Sequence, residues 1–406
     1  MSTKGFRKAG HLPTLVAALL HFDVSFMVWV LLGAVGAFVA SDLGLSPAQK
    51  GLMVAVPPLG GAAFRLVLGS LADKKGIKTT GMVSLALTAV PLLWGWLAAG
   101  TFVEVLGVGL LLGLAGASFA VALPLASRWY PPEQQGLALG IAGAGNSGTI
   151  IAALVAPRLA THLGWHAVFG IAIVPVALVW IAFTVLAKEP PVVAAVGGAP
   201  AGRGGPLRLL SEADARWLSG FYMVTFGGFV GLAGYLPIFF VDRFGLIKVT
   251  AAGFAALCTG TGSLIRPFGG GIADRLGGSR VLTGVLTVVA VTAGGLAFLP
   301  ALPIAVLLLV VTAGALGAGN GAVFQLVPER FPGRVGAMTG LVGAAGGVGG
   351  FLLPFGLGVL RQSTGTFAAG FAAFAGAAAL ASLAVRLRHR VWIEDGEPAG
   401  AFPVAA

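Results

Sequence analysis

The sequence is short of charge. Of 406 residues, 10% are Asp, Glu, Lys or Arg, whereas 57% are apolar. Soluble domains carry about 25% charged residues, so a soluble globular domain is excluded. There is one cysteine, Cys258, which rules out an intrachain disulfide and a cysteine-built metal cluster. A lone thiol in apolar surroundings reads as a small packing residue. Five histidines and fourteen carboxylates are spread along the chain without a nucleophile–base pair or a metal-ligand set. An enzyme, a metal and a cofactor are therefore not expected. The net charge of +11 raises nucleic acid as a partner. The basic residues lie in short clusters between apolar runs, with no basic face, and this excludes it.

What the chain has in abundance is long apolar stretches and glycine, 65 residues of it. Runs of eighteen or more apolar residues read as membrane-spanning helices, and glycine lets such helices approach closely. The first run is long and opens a series, so it reads as a span and not as a removable signal. Twelve spans are predicted, near 14–40, 51–72, 80–99, 102–128, 137–160, 166–187, 216–240, 250–273, 281–299, 303–327, 335–360 and 366–386. The Pro-, Gly- and charge-rich segment KEPPVVAAVGGAPAGRGGPLRLLSEAD separates the sixth from the seventh. The expected fold is an all-α integral membrane protein of twelve transmembrane helices in two pseudo-symmetric halves. Residues 1–187 form the N-terminal six-helix bundle, 188–215 a cytoplasmic linker, 216–390 the C-terminal bundle and 391–406 a cytoplasmic tail. With the N-terminus inside, eighteen of the 25 Lys and Arg fall in inside segments and five in outside loops. This positive-inside bias predicts both termini in the cytoplasm and a multi-pass protein of the inner membrane.

The halves repeat each other. Arg65 in GLMVAVPPLGGAAFRLVLGSLAD and Arg266 in GFAALCTGTGSLIRPFGGGIAD lie 201 residues apart, each eight residues before an aspartate, Asp73 and Asp274. Eight residues of helix span about 12 Å, too far for a guanidinium to reach the aspartate's depth comfortably by snorkelling. An arginine at mid-bilayer costs at least ~2.5–3.5 kcal/mol, so such residues are functional by default. Only Asp23 reads as a clearly intramembrane acid, which leaves positive charge in surplus. Structural pairing with that carboxylate is one use of the arginines. Holding an anion is the favoured one, because the planar fork of Arg donates bidentate hydrogen bonds to oxyanions. GASFAVALPLASRWYP aligns with GAGNGAVFQLVPERFP and sets Phe119 opposite Asn320. Parallel halves of this kind are a transporter plan with the substrate near the midplane.

The fifth span, GLALGIAGAGNSGTIIAALVAP, and the eleventh, GLVGAAGGVGGFLLP, hold more glycine than helix propensity favours. Smooth faces that slide or pack tightly are the compensation, with Gly143, Gly145 and Gly148 in one and Gly343, Gly346 and Gly347 in the other. Asn146 adds an amide for an anion or a neighbouring carbonyl. Tyr222 and Phe226, one turn apart, share a face suited to a flat anion or to ordinary helix packing. Asp23 is a candidate proton site or a partial neutraliser of the arginines. His21 reads as a polar group near the helix start.

GSLADKKGIK and GGGIADRLGGSR resemble the two copies of the loop signature of the major facilitator superfamily. AGAGNSG and GLVGAAGGVGGF resemble the two nitrate signatures of its nitrate/nitrite porter family, and FYMVTFGGF resembles that family's seventh span. The resemblance covers nearly the whole chain apart from the linker and tail. It implies that Arg65, Arg266, Tyr222, Asn146, Phe119 and Phe226 bind substrate, with Asn320 as a further contact. It implies that Gly69, Asp73, Gly76 and Asp274 belong to a cytoplasmic gate. The function it implies is movement of nitrate and nitrite by alternating access, feeding nitrate assimilation or respiration. Asp23 favours proton-coupled symport, with obligate nitrate/nitrite antiport, or transport of another small anion, as alternatives. The expected partners are nitrate, nitrite, protons and the lipid bilayer, and the expected state is a monomer. A membrane sensor finds no support, since no stretch has the composition of an output domain.

Overall fold

The computed structural model describes residues 9–190 and 206–394; residues 1–8, the middle of the expected linker and the tail from 395 onward lie outside them. All regular elements among the described residues are helices. Twelve spans follow when broken helices are counted as one. The first runs through Leu12–Trp29, Leu31–Ala34 and Gly36–Asp42, and the second is Pro47–Lys75. The third to sixth are Ile77–Leu97, Phe102–Gly116 with Phe119–Ser127, Pro132–Gly143 with Gly148–Leu163, and Trp165–Leu186. The seventh to twelfth are Ala213–Phe244, Lys248–Leu276, Gly278–Ala297, Leu302–Arg330, Val335–Thr364 and Ala368–Glu394. Among the described residues, eleven helices are long and apolar enough to cross a membrane. Lys248–Leu276 is not among them, because the Thr, Ser, Gly and Arg around Arg266 lower its hydropathy. At 29 residues it is nevertheless about 43 Å long, more than a hydrocarbon core requires.

Local chemistry sets the span ends. Ser46 and Gln49 form a reciprocal capping box ahead of Pro47, and Thr101 and Glu104 form another ahead of Phe102. The turn glycines carry the repeat. Gly44 and Gly245, Gly76 and Gly277, and Gly164 and Gly365 all have positive φ, and each pair is separated by the same interval as Arg65 and Arg266. These turns need a left-handed backbone that side chains with a Cβ disfavour. Two departures from the sequence expectation stand out. The first span is broken at Val30 and Val35. The histidine that caps its start is His11, whose Nδ1 accepts from Thr14 N, whereas His21 is fully buried with Nε2 3.4 Å from Ser84 Oγ.

The chain divides into two compact units: Met1–Val196 with Ala233–Ala256, and Gly197–Leu232 with Leu257–Ala406. In the first unit, segment Ala233–Ala256 lies on spans one and two. Gly33 and Gly234 approach so closely that a Cβ on Gly33 would stand 2.8 Å from Gly234 Cα. Lys50 Nζ pairs with Asp242 at 2.8 Å. Each unit also has a glycine-lined helix crossing. A Cβ on Gly60 of span two would strike Leu110 of span four, and a Cβ on Gly317 of span ten would strike Gly262 of span eight. Close backbone approach of this sort supplies the dispersion that holds apolar helices together in lipid, where burial from water contributes little.

Candidate functional site

Each intramembrane arginine sits at one of these crossings. Arg65 is 5% exposed; its Nη2 donates to Gly116 O at 3.1 Å, and its guanidinium lies 5.4 Å from the Phe119 ring centre. Trp29 braces this corner. Its indole donates to Pro57 O at 3.0 Å, fills the space that a side chain on Gly116 would need, and lies against Gly61. Phe22 packs 6.0 Å from Phe119, ring centre to ring centre, and continues the aromatic wall.

Arg266 has a matching set in the second unit. Its Nη2 donates to Tyr222 Oη at 3.3 Å, and its guanidinium lies 5.9 Å from Phe226 and 5.8 Å from Phe324. Tyr222 and Phe226 stack at 4.9 Å with planes 4° apart, and Phe324 meets Tyr222 edge-on at 5.0 Å. Cation–π contacts of this kind are worth about 0.5–2 kcal/mol and hold the guanidinium while leaving N–H groups available. Asn320, the repeat mate of Phe119, is 1% exposed, and neither its Oδ1 nor its Nδ2 has a hydrogen-bond partner. A buried unsatisfied amide costs about 1–3 kcal/mol, which is retained in native proteins where a ligand or water uses it.

The glycine signatures act as seats. In span five the helix tightens to a 3-10 turn over Ala144–Ser147, which presses on span one. A Cβ on Gly145 would stand 2.8 Å from Asp23 N, and one on Gly148 would strike Asp23 O. Ser147 Oγ donates to Asp23 Oδ1 at 2.6 Å, so the predicted proton site is joined to the segment that carries Asn146, itself 5% exposed. In span eleven Gly343, Gly346 and Gly347 are buried, and Gly346 lies against Tyr222 and Phe226. Gly143 and Gly69 face open space. Asp73 and Asp274 are exposed near the ends of spans two and eight. Gly76 has φ +92°, and the carboxylate beside it belongs to Glu189, which accepts from Ile77 N at 2.6 Å and Lys78 N at 2.9 Å. Glu189 thus occupies the positive N-terminus of span three.

Sequence reasoning misses Phe324, Phe22, Trp29, Ser147 and Glu189. Phe324 has a signal, since it falls one turn beyond Asn320. The others act through partners distant in sequence.

A family model described as Major Facilitator Superfamily matches residues 17–354. "Nitrite extrusion protein" of Bacillus subtilis is 33% identical over 361 residues, covering 87% of this chain and 88% of that protein. "Probable nitrate/nitrite antiporter NarK1" of Thermus thermophilus is 31% identical over 384 residues, covering 84% of each. The chain belongs to the nitrate/nitrite porters of the Major Facilitator Superfamily. As a nitrate/nitrite porter it is a multi-pass transporter and not an enzyme. Among solved structures, a bacterial homologue of the human lysosomal transporter Spinster, in an inward-facing, unoccupied conformation, matches with TM-score 0.74 and 19% identity, covering 100% of both chains. The human organic anion transporter MFSD10 matches with TM-score 0.70 and 15% identity, covering 92% of this chain and 99% of that one. Both show the same fold.

Proposed function

We propose that the protein moves nitrate and nitrite across the cytoplasmic membrane by alternating access. The observation that carries this reading is the doubled arginine–aromatic set: Arg65 with Phe119, and Arg266 with Tyr222, Phe226 and Phe324. A flat, weakly hydrated oxyanion suits it. Guanidinium N–H groups donate in the plane of the anion, while aromatic faces cover it without demanding hydrogen bonds. The amides of Asn146 and Asn320 and the Tyr222 hydroxyl add donors. The names of the relatives support the same anions.

The mechanism follows from charge. An anion offsets guanidinium charge, and substrate shifts the equilibrium toward the state that holds it more tightly. Asp73 and Asp274, with Gly69 and Gly76, belong to a cytoplasmic gate in this reading, and the buried glycines of spans five and eleven are the surfaces that shift. Asp23, held by Ser147, favours proton-coupled symport. Antiport is the second reading, supported by the name of the Thermus thermophilus relative. The domain plan of two six-helix bundles, 1–187 and 216–390, with inside termini and a monomeric state, completes the proposal.

The test is binding of nitrate and nitrite to purified protein, with formate and chloride as controls, for wild type and Arg65→Lys. Selective nitrate and nitrite binding that Lys abolishes supports the bidentate site. Binding unchanged by Lys, or absent altogether, overturns it.

A further inference from the structure

The second unit has an open groove between the starting turns of span seven and the last turns of span twelve. It holds about 300 Å³ and is lined by Trp217, Leu380, Leu383, Ala384, Leu387, Arg388 and Val391. The lining from span twelve follows helical spacing, so it forms one continuous stripe. It is apolar and open to the surroundings: Leu380 is 69% exposed, Leu387 55% and Leu383 52%. Arg388 sets a guanidinium near the end of the stripe, one turn before Val391.

That end is strongly basic. Arg386, Arg388 and Arg390 fall within five residues of span twelve. The nearby Asp214 already carries more cation than it can neutralise. Its Oδ1 accepts from Arg388 Nε at 2.9 Å, Arg388 Nη2 at 2.6 Å and Trp392 Nε1 at 3.1 Å. Its Oδ2 accepts from Arg330 Nε at 3.0 Å and Nη2 at 2.8 Å. Two arginines on one carboxylate leave a net positive charge. Glu212 is occupied by Arg334, and among the described residues the four acids of this end, Asp214, Glu212, Glu329 and Glu394, are outnumbered by Arg330, Arg334, Arg386, Arg388 and Arg390. The Asp214 bonds use Nε and Nη2 of Arg388, and the Nη1 amino group is a further donor of the same guanidinium.

We propose that this groove is a binding site for one anionic phospholipid, with an acyl chain along Leu380, Ala384 and Leu387 and the phosphate on Arg388. An apolar trough with a cation near its end matches the two ends of such a lipid, and a zwitterionic lipid, which has the phosphate but no net charge, gains less from the surplus charge. The basic-residue orientation places this end in the cytoplasmic leaflet, where anionic lipids and juxtamembrane arginines meet. Trp217, beside the groove, has the amphipathic ring favoured at headgroup level. Because Arg388 also holds Asp214 at the start of span seven, bound lipid braces the helix that carries Tyr222 and Phe226.

The site is tested on full-length protein purified in detergent and exchanged into phosphatidylglycerol or phosphatidylcholine of the same acyl chains. The readouts are lipid adducts in native mass spectrometry and thermal unfolding, followed by thiol labelling of the buried Cys258. Wild type retains phosphatidylglycerol over phosphatidylcholine and is stabilised more by it. Ala384→Phe fills the trough and lowers that preference roughly fivefold, the scale of one basic residue at an anionic surface. Leu383→Trp is the second filling variant should Ala384→Phe fail to fold. Asp214→Asn, which leaves the groove open and removes a negative charge beside Arg388, keeps or raises the preference. Equal retention of the two lipids by wild type, or a full preference in both filled variants, overturns the proposal.

Discussion

Gly346 lies directly against Tyr222: a Cβ there would stand 2.6 Å from Tyr222 Cδ1 and 2.8 Å from Phe226 Cδ1. The glycine of span eleven is thus the floor on which the stacked aromatic pair rests. Gly346→Ala gains about 1 kcal/mol of local helix propensity against about 1–3 kcal/mol for overpacking the buried rings, so stability changes little or falls modestly. The contact predicts a larger effect on function. The added methyl pushes both rings, and with them the hydroxyl bonded to Arg266. Nitrate uptake into proteoliposomes falls by about tenfold or more, the effect expected of an ångström-scale misplacement. Uptake equal to wild type would show that the rings do not set the site.

Arg266 and Tyr222 are separable by conservative changes. Tyr222→Phe removes one hydroxyl and keeps the stack, so it costs about 0.5–1.5 kcal/mol of anion affinity, or a few-fold. Arg266→Lys keeps charge but loses the fork and its contacts with Phe226 and Phe324, and it costs more, at least tenfold (about 1.4 kcal/mol). Titration calorimetry with nitrate orders the two. Equal losses would mean that charge alone matters at this position.

Much of this arrangement is legible in the sequence. The interval between the arginines is visible as a repeat, and the backbone of the turns obeys it: Gly76 and Gly277 share a positive φ. Tyr222 and Phe226 are readable because they lie one turn apart on one helix. What a linear string of residues does not display is a partner on another helix. Phe324 is marked only by lying one turn beyond Asn320, and the fold alone sets its ring against Tyr222. Trp29 reads as one more apolar residue, and only the fold puts its indole under Gly61 and Gly116. Ser147 sits inside a glycine motif, where its hydroxyl has no visible acceptor until the helices bring Asp23 beside it. The third span's start is a similar case. Asp73 is the nearby acid in the chain, whereas Glu189, more than a hundred residues on, holds that N-terminus.

The Asp23–Ser147 bond gives a test of coupling. Asp23→Asn keeps an oxygen for the Ser147 hydroxyl and removes the group that titrates. Under proton symport, nitrate accumulation driven by an imposed pH gradient is lost in Asp23→Asn, while nitrate/nitrite counterflow without a gradient persists. Accumulation that survives the substitution would remove Asp23 from the coupling mechanism. Wild-type uptake insensitive to the gradient would favour the antiport reading.

Lys50 and Asp242 form an ion pair with side chains 18% and 19% exposed. The pair lies between the surface case and the buried one. Surface pairs contribute about 0–1 kcal/mol, and removing one partner of a buried pair costs about 3–5 kcal/mol. Lys50→Asp places two carboxylates together and destabilises by about 1–3 kcal/mol, as does Asp242→Lys with two ammoniums. The double exchange restores opposite charges and recovers most of the loss, which a double-mutant cycle on thermal unfolding measures directly. The bond ties span two to the end of span seven, alongside the Gly33–Gly234 approach, so its coupling energy reports how firmly segment Ala233–Ala256 is held to the first unit. Additive losses in the double exchange would show that the packed glycines, and not the charges, fix that segment.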